Sequence, residues 1–221
     1  MESSPQLMLN VASTCRETRA LGPGLRAAVW VQGCPRACAG CIAPEWIPFI
    51  DARHVTPQAL KDELLENPAV TGFTFSGGEP MLQAAGLAEL IRLARMERDL
   101  SLVCFSGYRY ERLRAKPPAA GVADLLGEID VLIDGPYVAR LNDGLGLRGS
   151  RNQHVHYLSD RLRDSGFDFE GRRRNIEIRL DQDGLMLVGV PPIGLETVID
   201  SIAPRAASLA TQDPPAKGAV Q

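Results

Sequence analysis

Four short apolar runs, at residues 27–31, 70–75, 102–105 and 131–133, are separated by stretches of helical periodicity, and this alternation constrains the fold more than any other feature. Strand and helix in regular succession favour parallel pairing through right-handed crossovers, because a tight turn cannot join two parallel strands. Thr56-Pro57 has the form of a helix cap followed by proline at the first helical position. Leu60, Leu64 and Leu65 then recur at helical spacing up to Asn67-Pro68. Leu87, Leu90, Ile91 and Ala94 mark one face of a second helix, and a short helical patch occupies 122–126. Residues 7–13 read as a further strand ahead of the Gly22-Pro23-Gly24 turn. Later, 175–180 and 185–190 alternate as strands around Asp181-Gln182-Asp183-Gly184, which predicts an antiparallel hairpin beside the main sheet.

The expected class is α/β, with one compact domain over 1–202 that includes the hairpin near 175–190. Residues 203–221 are dominated by Ala, Pro, Ser, Thr and Gln and are expected to form a disordered tail. A chain of 221 residues with 45% hydrophobic content suits one sizeable core. The formal charge of −3 gives no general electrostatic case for a nucleic-acid partner, since phosphate binding needs a concentrated excess of Lys and Arg. The one basic run, Arg172-Arg173-Arg174, reads as a solvated turn before a strand, with docking to an acidic protein as the alternative. No segment approaches the ~18 consecutive apolar residues of a membrane helix, and the N-terminus lacks a basic region followed by an apolar one, so a cytoplasmic location is expected.

Five cysteines are present, three of them at Cys34, Cys38 and Cys41 in the spacing CxxxCxxC. That layout suits a metal centre in a reducing compartment better than a disulfide framework. A cubane [4Fe–4S] cluster normally has four thiolate ligands, so three local ones leave an iron open to a small chelating molecule. Other readings compete. Cys38 and Cys41 resemble a thioredoxin-type pair, which has no use for a third thiol. A structural zinc site would recruit His54 as its fourth ligand and make the chain a non-catalytic interaction module. Three buried core cysteines are hard to place in one loop holding Gly and Pro. Cys104, within an apolar run, and Cys15, with no thiol nearby, are not expected to be ligands.

Every apolar run ends in unusual loop chemistry: the cysteine loop, Ser76-Gly77-Gly78-Glu79-Pro80, Ser106-Gly107-Tyr108, and Asp134-Gly135-Pro136-Tyr137. In parallel β/α sheets ligands bind at the carboxyl ends of strands, so one site is expected to use all four loops. Glycines there admit a ligand close to the backbone, and the Glu79 carboxylate is an acceptor for a ligand amino group.

CxxxCxxC followed one β/α unit later by Gly77-Gly78-Glu79-Pro80 resembles the radical S-adenosylmethionine superfamily. Gly22-Pro23-Gly24-Leu25-Arg26, Val29 to Pro35, Gly40, Asp134 to Tyr137 and Leu147 to Gln153 resemble, within it, the activating proteins of anaerobic ribonucleotide reductase. The resemblance implies a partial (β/α) barrel of the radical S-adenosylmethionine type with a C-terminal hairpin. It implies a [4Fe–4S] cluster on Cys34, Cys38 and Cys41, and S-adenosylmethionine contacts from Gly77, Gly78, Glu79, Ser106 and Tyr108. It implies reductive cleavage to a 5′-deoxyadenosyl radical, and transfer of that radical to a glycine of a glycyl-radical partner such as an anaerobic ribonucleotide reductase. Asp134, Tyr137, Arg148 and Asn152 are the expected partner contacts, and a flavodoxin or ferredoxin the expected electron donor. A related enzyme acting on a peptide or small molecule is the alternative.

Overall fold

A computed structural model describes residues 7–181 and 184–195, so the expected tail at 203–221 and the expected domain limit at 202 lie outside the described residues. Strands β1 (Leu9–Thr18), β2 (Arg26–Val31), β3 (Arg53–Val55), β4 (Gly72–Gly77), β5 (Ser101–Ser106), β6 (Val131–Asp134) and β7 (His154–Tyr157) form one sheet in the order β3-β1-β2-β4-β5-β6-β7. The central four, β2-β4-β5-β6, are parallel, and the outer strands β1, β3 and β7 are antiparallel to their neighbours. The register aligns the carboxyl ends: Val31 stands opposite Gly77, and Ser106 opposite Asp134. All four signature loops therefore leave one edge of the sheet.

Helices α1 (Pro57–Leu64), α2 (Ala84–Glu97), α3 (Tyr110–Ala115) and α4 (Val122–Glu128) connect the strands. Thr56 caps α1, its Oγ1 accepting from the Ala59 N–H at 3.2 Å, and Pro57 takes the position where a missing N–H costs nothing. Leu60 and Leu64 of α1, Leu87, Leu90 and Ile91 of α2, and Leu125 of α4 are wholly buried against Val29, Val31, Phe73, Phe75, Leu102 and Leu132. This is the outer face of the sheet, and each such side chain contributes about 1.5–3 kcal/mol of burial.

The opposite, inner face is covered differently. Strands β8 (Glu177–Asp181) and β9 (Gly184–Val188) form the predicted hairpin as a separate two-stranded sheet. Val188 packs with Cys15, Leu21, Ala28 and Trp30, while Val190 packs with Val103, Val131, Ile133, Leu147 and Phe169. Leu147, Leu162, Phe169, Val188 and Val190 thus lie across the inner face. Deeper on that face, Arg26 is fully buried. Its guanidinium donates to Thr74 Oγ1 at 2.8 Å, Ser101 Oγ at 2.8 Å, Pro23 O at 3.0 Å and Ser101 O at 3.1 Å, and to Phe73 O. Those bonds tie β2, β4 and β5 together and satisfy a cation that has no carboxylate within salt-bridge reach among the described residues.

Arg174 departs from the expected solvated turn. Its guanidinium donates to Arg148 O at 2.7 Å, Pro191 O at 2.9 Å and Gly149 O at 3.2 Å, clamping the hairpin segment to the loop before β7. Arg172 stacks 4.2 Å over the Phe167 ring, and only Arg173 of the three is exposed. An aromatic ring holds Arg172 and the carbonyls of a folded loop hold Arg174, partners invisible to a count of charges.

Candidate functional site

Strand β2 runs directly into the cysteine loop, and its end is held by backbone. The Gly33 N–H donates to Trp46 O and the Cys34 N–H to Ile47 O, both at 2.9 Å. Gln32 Nε2 donates to Pro48 O at 2.7 Å, and the Trp30 and Trp46 rings lie 5.6 Å apart. The segment after the third cysteine is thereby pinned beside the first.

The neighbouring Gly77-Gly78 is packed against the same backbone. A Cβ on Gly78 would stand 2.3 Å from Gly33 O, and Gly77, at φ +104°, leaves only 2.4 Å between a Cβ and Val31 N. These glycines are required because β4 meets the root of the cysteine loop, where the Gly78 N–H donates to Val31 O at 2.7 Å and the Glu79 N–H to Gly33 O at 2.9 Å. The close approach seen here is chain to chain.

Glu79 is wholly buried. Oε1 accepts from Ser106 Oγ at 2.9 Å and Met81 N at 3.0 Å, and Oε2 from Gly107 N at 2.8 Å. Burial pushes its carboxyl up to about 7, against the pull of those donors and of nearby Arg36. Both oxygens already have protein donors, so Glu79 joins the ends of β4 and β5 and caps the turn Pro80–Gln83.

A cavity of about 660 Å³ opens at this edge. Cys34, Cys38, Cys41, Arg36, Ser76, Gly77, Gly78, Glu79, Ser106, Gly135 and Tyr137 line one side, and residues of the hairpin segment line another. The three thiols are half-buried, and desolvation raises Cys34 and Cys41 above the ordinary thiol range. A tetrahedral zinc with ~2.3 Å bonds would hold its sulfurs about 3.8 Å apart. Among the described residues no ligand set containing the three thiols falls within 4.8 Å. His54 sits on β3 with Nε2 2.9 Å from Asp51 Oδ1 and does not line the cavity. Three thiols of one loop on one cavity are a donor set for a thiolate-bound group. Cys15 and Cys104 are buried elsewhere.

Other expected contacts lie outside the cavity lining. The Tyr108 ring is buried in the outer core with the guanidinium carbons of Arg36 and Arg112 at 5.3 and 5.6 Å. Asp134 points to the outer face, where it accepts from Tyr110 N at 2.6 Å and lies 3.0 Å from His156 Nε2. Asp134, His154 and His156 bring three ligand atoms within 4.8 Å, yet Arg109 Nη1 lies 2.5 Å from His154 Nδ1 and 3.7 Å from Asp134, closing the group with a cation. Arg148 pairs with Asp143 and Glu170, and Asn152 donates to Pro136 O at 2.8 Å. Of the four expected partner contacts, Tyr137 alone faces the cavity. Gln153, beside it, ends the Leu147 to Gln153 stretch and also lines the cavity. Its Oε1 accepts from Gly149 N at 2.7 Å and its Nε2 donates to Gly135 O at 2.8 Å, tying the two loops together.

Fold and site together define an α/β protein with a three-thiol centre at the carboxyl edge of a largely parallel sheet. The model of the 4Fe-4S single cluster domain family matches residues 20–156, more than half of the chain. The chain is 32% identical over 146 residues to the anaerobic ribonucleoside-triphosphate reductase-activating protein of Vibrio cholerae, covering 61% of this chain and 89% of that one. It is 31% identical over 148 residues to the protein of that name from Escherichia coli, covering 62% and 91%. Pyruvate formate-lyase-activating enzyme of Clostridium pasteurianum is 31% identical over 94 residues, 40% of each chain. The chain belongs to the 4Fe-4S single-cluster family and, within it, to the radical S-adenosylmethionine activase branch.

Proposed function

We propose that this protein cleaves S-adenosylmethionine reductively and uses the resulting radical to create a glycyl radical on a partner enzyme resembling anaerobic ribonucleotide reductase. The observation that carries the reading is that Cys34, Cys38 and Cys41 line one cavity with Gly77, Gly78 and Ser106 at the aligned carboxyl ends of β2, β4 and β5. Cys34, Cys38 and Cys41 would hold a [4Fe–4S] cluster, and the chemistry it supplies when loaded is electron delivery to the sulfonium, giving methionine and a 5′-deoxyadenosyl radical. We read the sheet as a partial barrel, the location as the cytosol, and the electron source as a flavodoxin or ferredoxin.

The protein's own groups have definite tasks. Loading requires Cys34 and Cys41 to lose protons that burial makes them keep, so metal uptake releases protons and improves as pH rises. Arg36 is the one basic side chain lining the cavity among the described residues, and it is placed to meet a ligand carboxylate. Backbone carbonyls of Ser76 and Gly77 are acceptors for a ligand ammonium, and Glu79, which lines the cavity and carries three protein donors, has acceptor capacity left for the same group. Trp30 and the hairpin segment give the cavity apolar lining, which limits water near a radical.

Anaerobic reconstitution followed by dithionite and S-adenosylmethionine tests this. Wild type should bind about four irons and release 5′-deoxyadenosine. Cys34→Ala, Cys38→Ala and Cys41→Ala should each abolish release, and any one that keeps near-normal turnover would remove that residue from the ligand set.

A further inference from the structure

The cavity has two sides of different origin. Its thiol side belongs to the segment matched by the family model, which ends at residue 156. Its other side is built by Ile176, Met186, Leu187, Gly189, Val190 and Pro191, beyond that match. The Vibrio cholerae relative leaves only 11% of its own length unmatched (100 − 89), against 39% of this chain (100 − 61), so it has little room for such an addition.

The addition is fastened to the domain. Glu177 Oε1 accepts from the Arg19 N–H at 2.7 Å, Arg179 donates to Glu17 O, and the Gly146 N–H donates to Arg172 O at 2.8 Å. Val188 is fully buried over the inner face. A wall so anchored has a fixed shape.

Its chemistry is one-sided as well. The charged side chains lining the cavity, Arg36, Glu45 and Glu79, are all on the thiol side, and the six wall residues are without charge. A small ionic substrate set against the wall would lose hydration with no counter-charge in return. An uncharged, slender stretch of polypeptide loses little.

We propose that Ile176 and residues 186–191 are the partner-selecting wall of the site, with Leu187 and Met186 as positioning residues that receive an apolar, glycine-bearing main-chain segment of a protein substrate. This rests on the activase reading above and adds which part of the chain chooses the partner. Leu187 is 37% exposed and lines the cavity, whereas Ile178, on the same hairpin and 59% exposed, does not.

The test uses the full cluster-loaded chain and an anaerobic ribonucleotide reductase, reading glycyl radical by electron paramagnetic resonance and 5′-deoxyadenosine by chromatography. Leu187→Glu should lower radical formed per 5′-deoxyadenosine released by about tenfold or more and raise the KM for the reductase, as expected when a charge enters an apolar contact. Leu187→Met should restore coupling, and Ile178→Glu should match wild type. Unchanged coupling in Leu187→Glu, or an equal loss in Ile178→Glu, overturns the wall. Wild-type protein that releases 5′-deoxyadenosine yet leaves no radical on the reductase overturns the activase reading instead.

Discussion

The two faces of the sheet are buried by different means. On the outer face, helices α1, α2 and α4 lay regular apolar stripes on β2, β4 and β5, and the contact is almost wholly hydrocarbon. On the inner face a mostly irregular chain, with one hairpin, covers the same strands, and polar groups such as Arg26, Thr74 and Ser101 are buried with them. The outer face carries stability through packing. The inner face accepts a less regular cover because it must leave a cavity at its upper edge.

That contrast gives its largest test in paired truncations. Leu90→Ala, at a wholly buried position of α2, should cost about 2–5 kcal/mol in urea unfolding. The molecules that remain folded should load iron normally. Val188→Ala removes fewer atoms, so it should cost less, while loosening the wall and lowering radical yield per 5′-deoxyadenosine. Equal stability losses with no change in coupling would erase the distinction between the faces.

Glu79 lies where the two faces meet the site, and its ionisation sharpens the comparison through pH. In the folded chain the carboxyl keeps its proton to about 7, whereas an unfolded glutamate, with an ordinary value of 4.5, has released it. Between those values the native state binds more protons, so stability should fall as pH rises from about 4.5 to about 7 and level off above. The ceiling of this effect is about 3 kcal/mol. Urea midpoints of cluster-free protein over that range should decline for wild type and be flatter for Glu79→Gln. A difference of opposite slope would mean that the carboxyl is ionised in the fold.

Much of the outer face was legible in the sequence. Strands at 27–31, 70–75, 102–105 and 131–133 and the α1 and α2 patterns follow from apolar periodicity, because helices on strands obey a repeat. The short strands β3 and β7 are not marked in the sequence: Arg53 and His54 carry no apolar alternation, and the alternation of His154-Val155-His156-Tyr157 is only four residues long, so each is fixed by the neighbouring strand that offers its edge. Six-residue α3, with Glu111, Arg112 and Arg114 in it, gives no stripe. At the site, the loops were legible as residue types, but their partners were not. Gly78 reads as room for a ligand, and only the structure shows that it also lets Gly33 O come within 2.3 Å of where a Cβ would stand while the residue still lines the cavity.

The smallest test concerns the basic run of the inner cover, where adjacent arginines should separate by burial alone. Arg174 donates to several carbonyls that a folded loop turns toward it, and its removal leaves half-buried acceptors unpaired. Arg174→Ala should therefore cost about 1–2 kcal/mol, a typical net loss for such bonds. Arg173, exposed and without a salt bridge among the described residues, should change stability by no more than about 0.5 kcal/mol when replaced by Ala. If chemical denaturation shows the two variants alike, the segment is held by its apolar contacts at Val188 and Val190 alone, and the guanidinium clamp contributes nothing to the fixed shape on which partner selection by the wall depends.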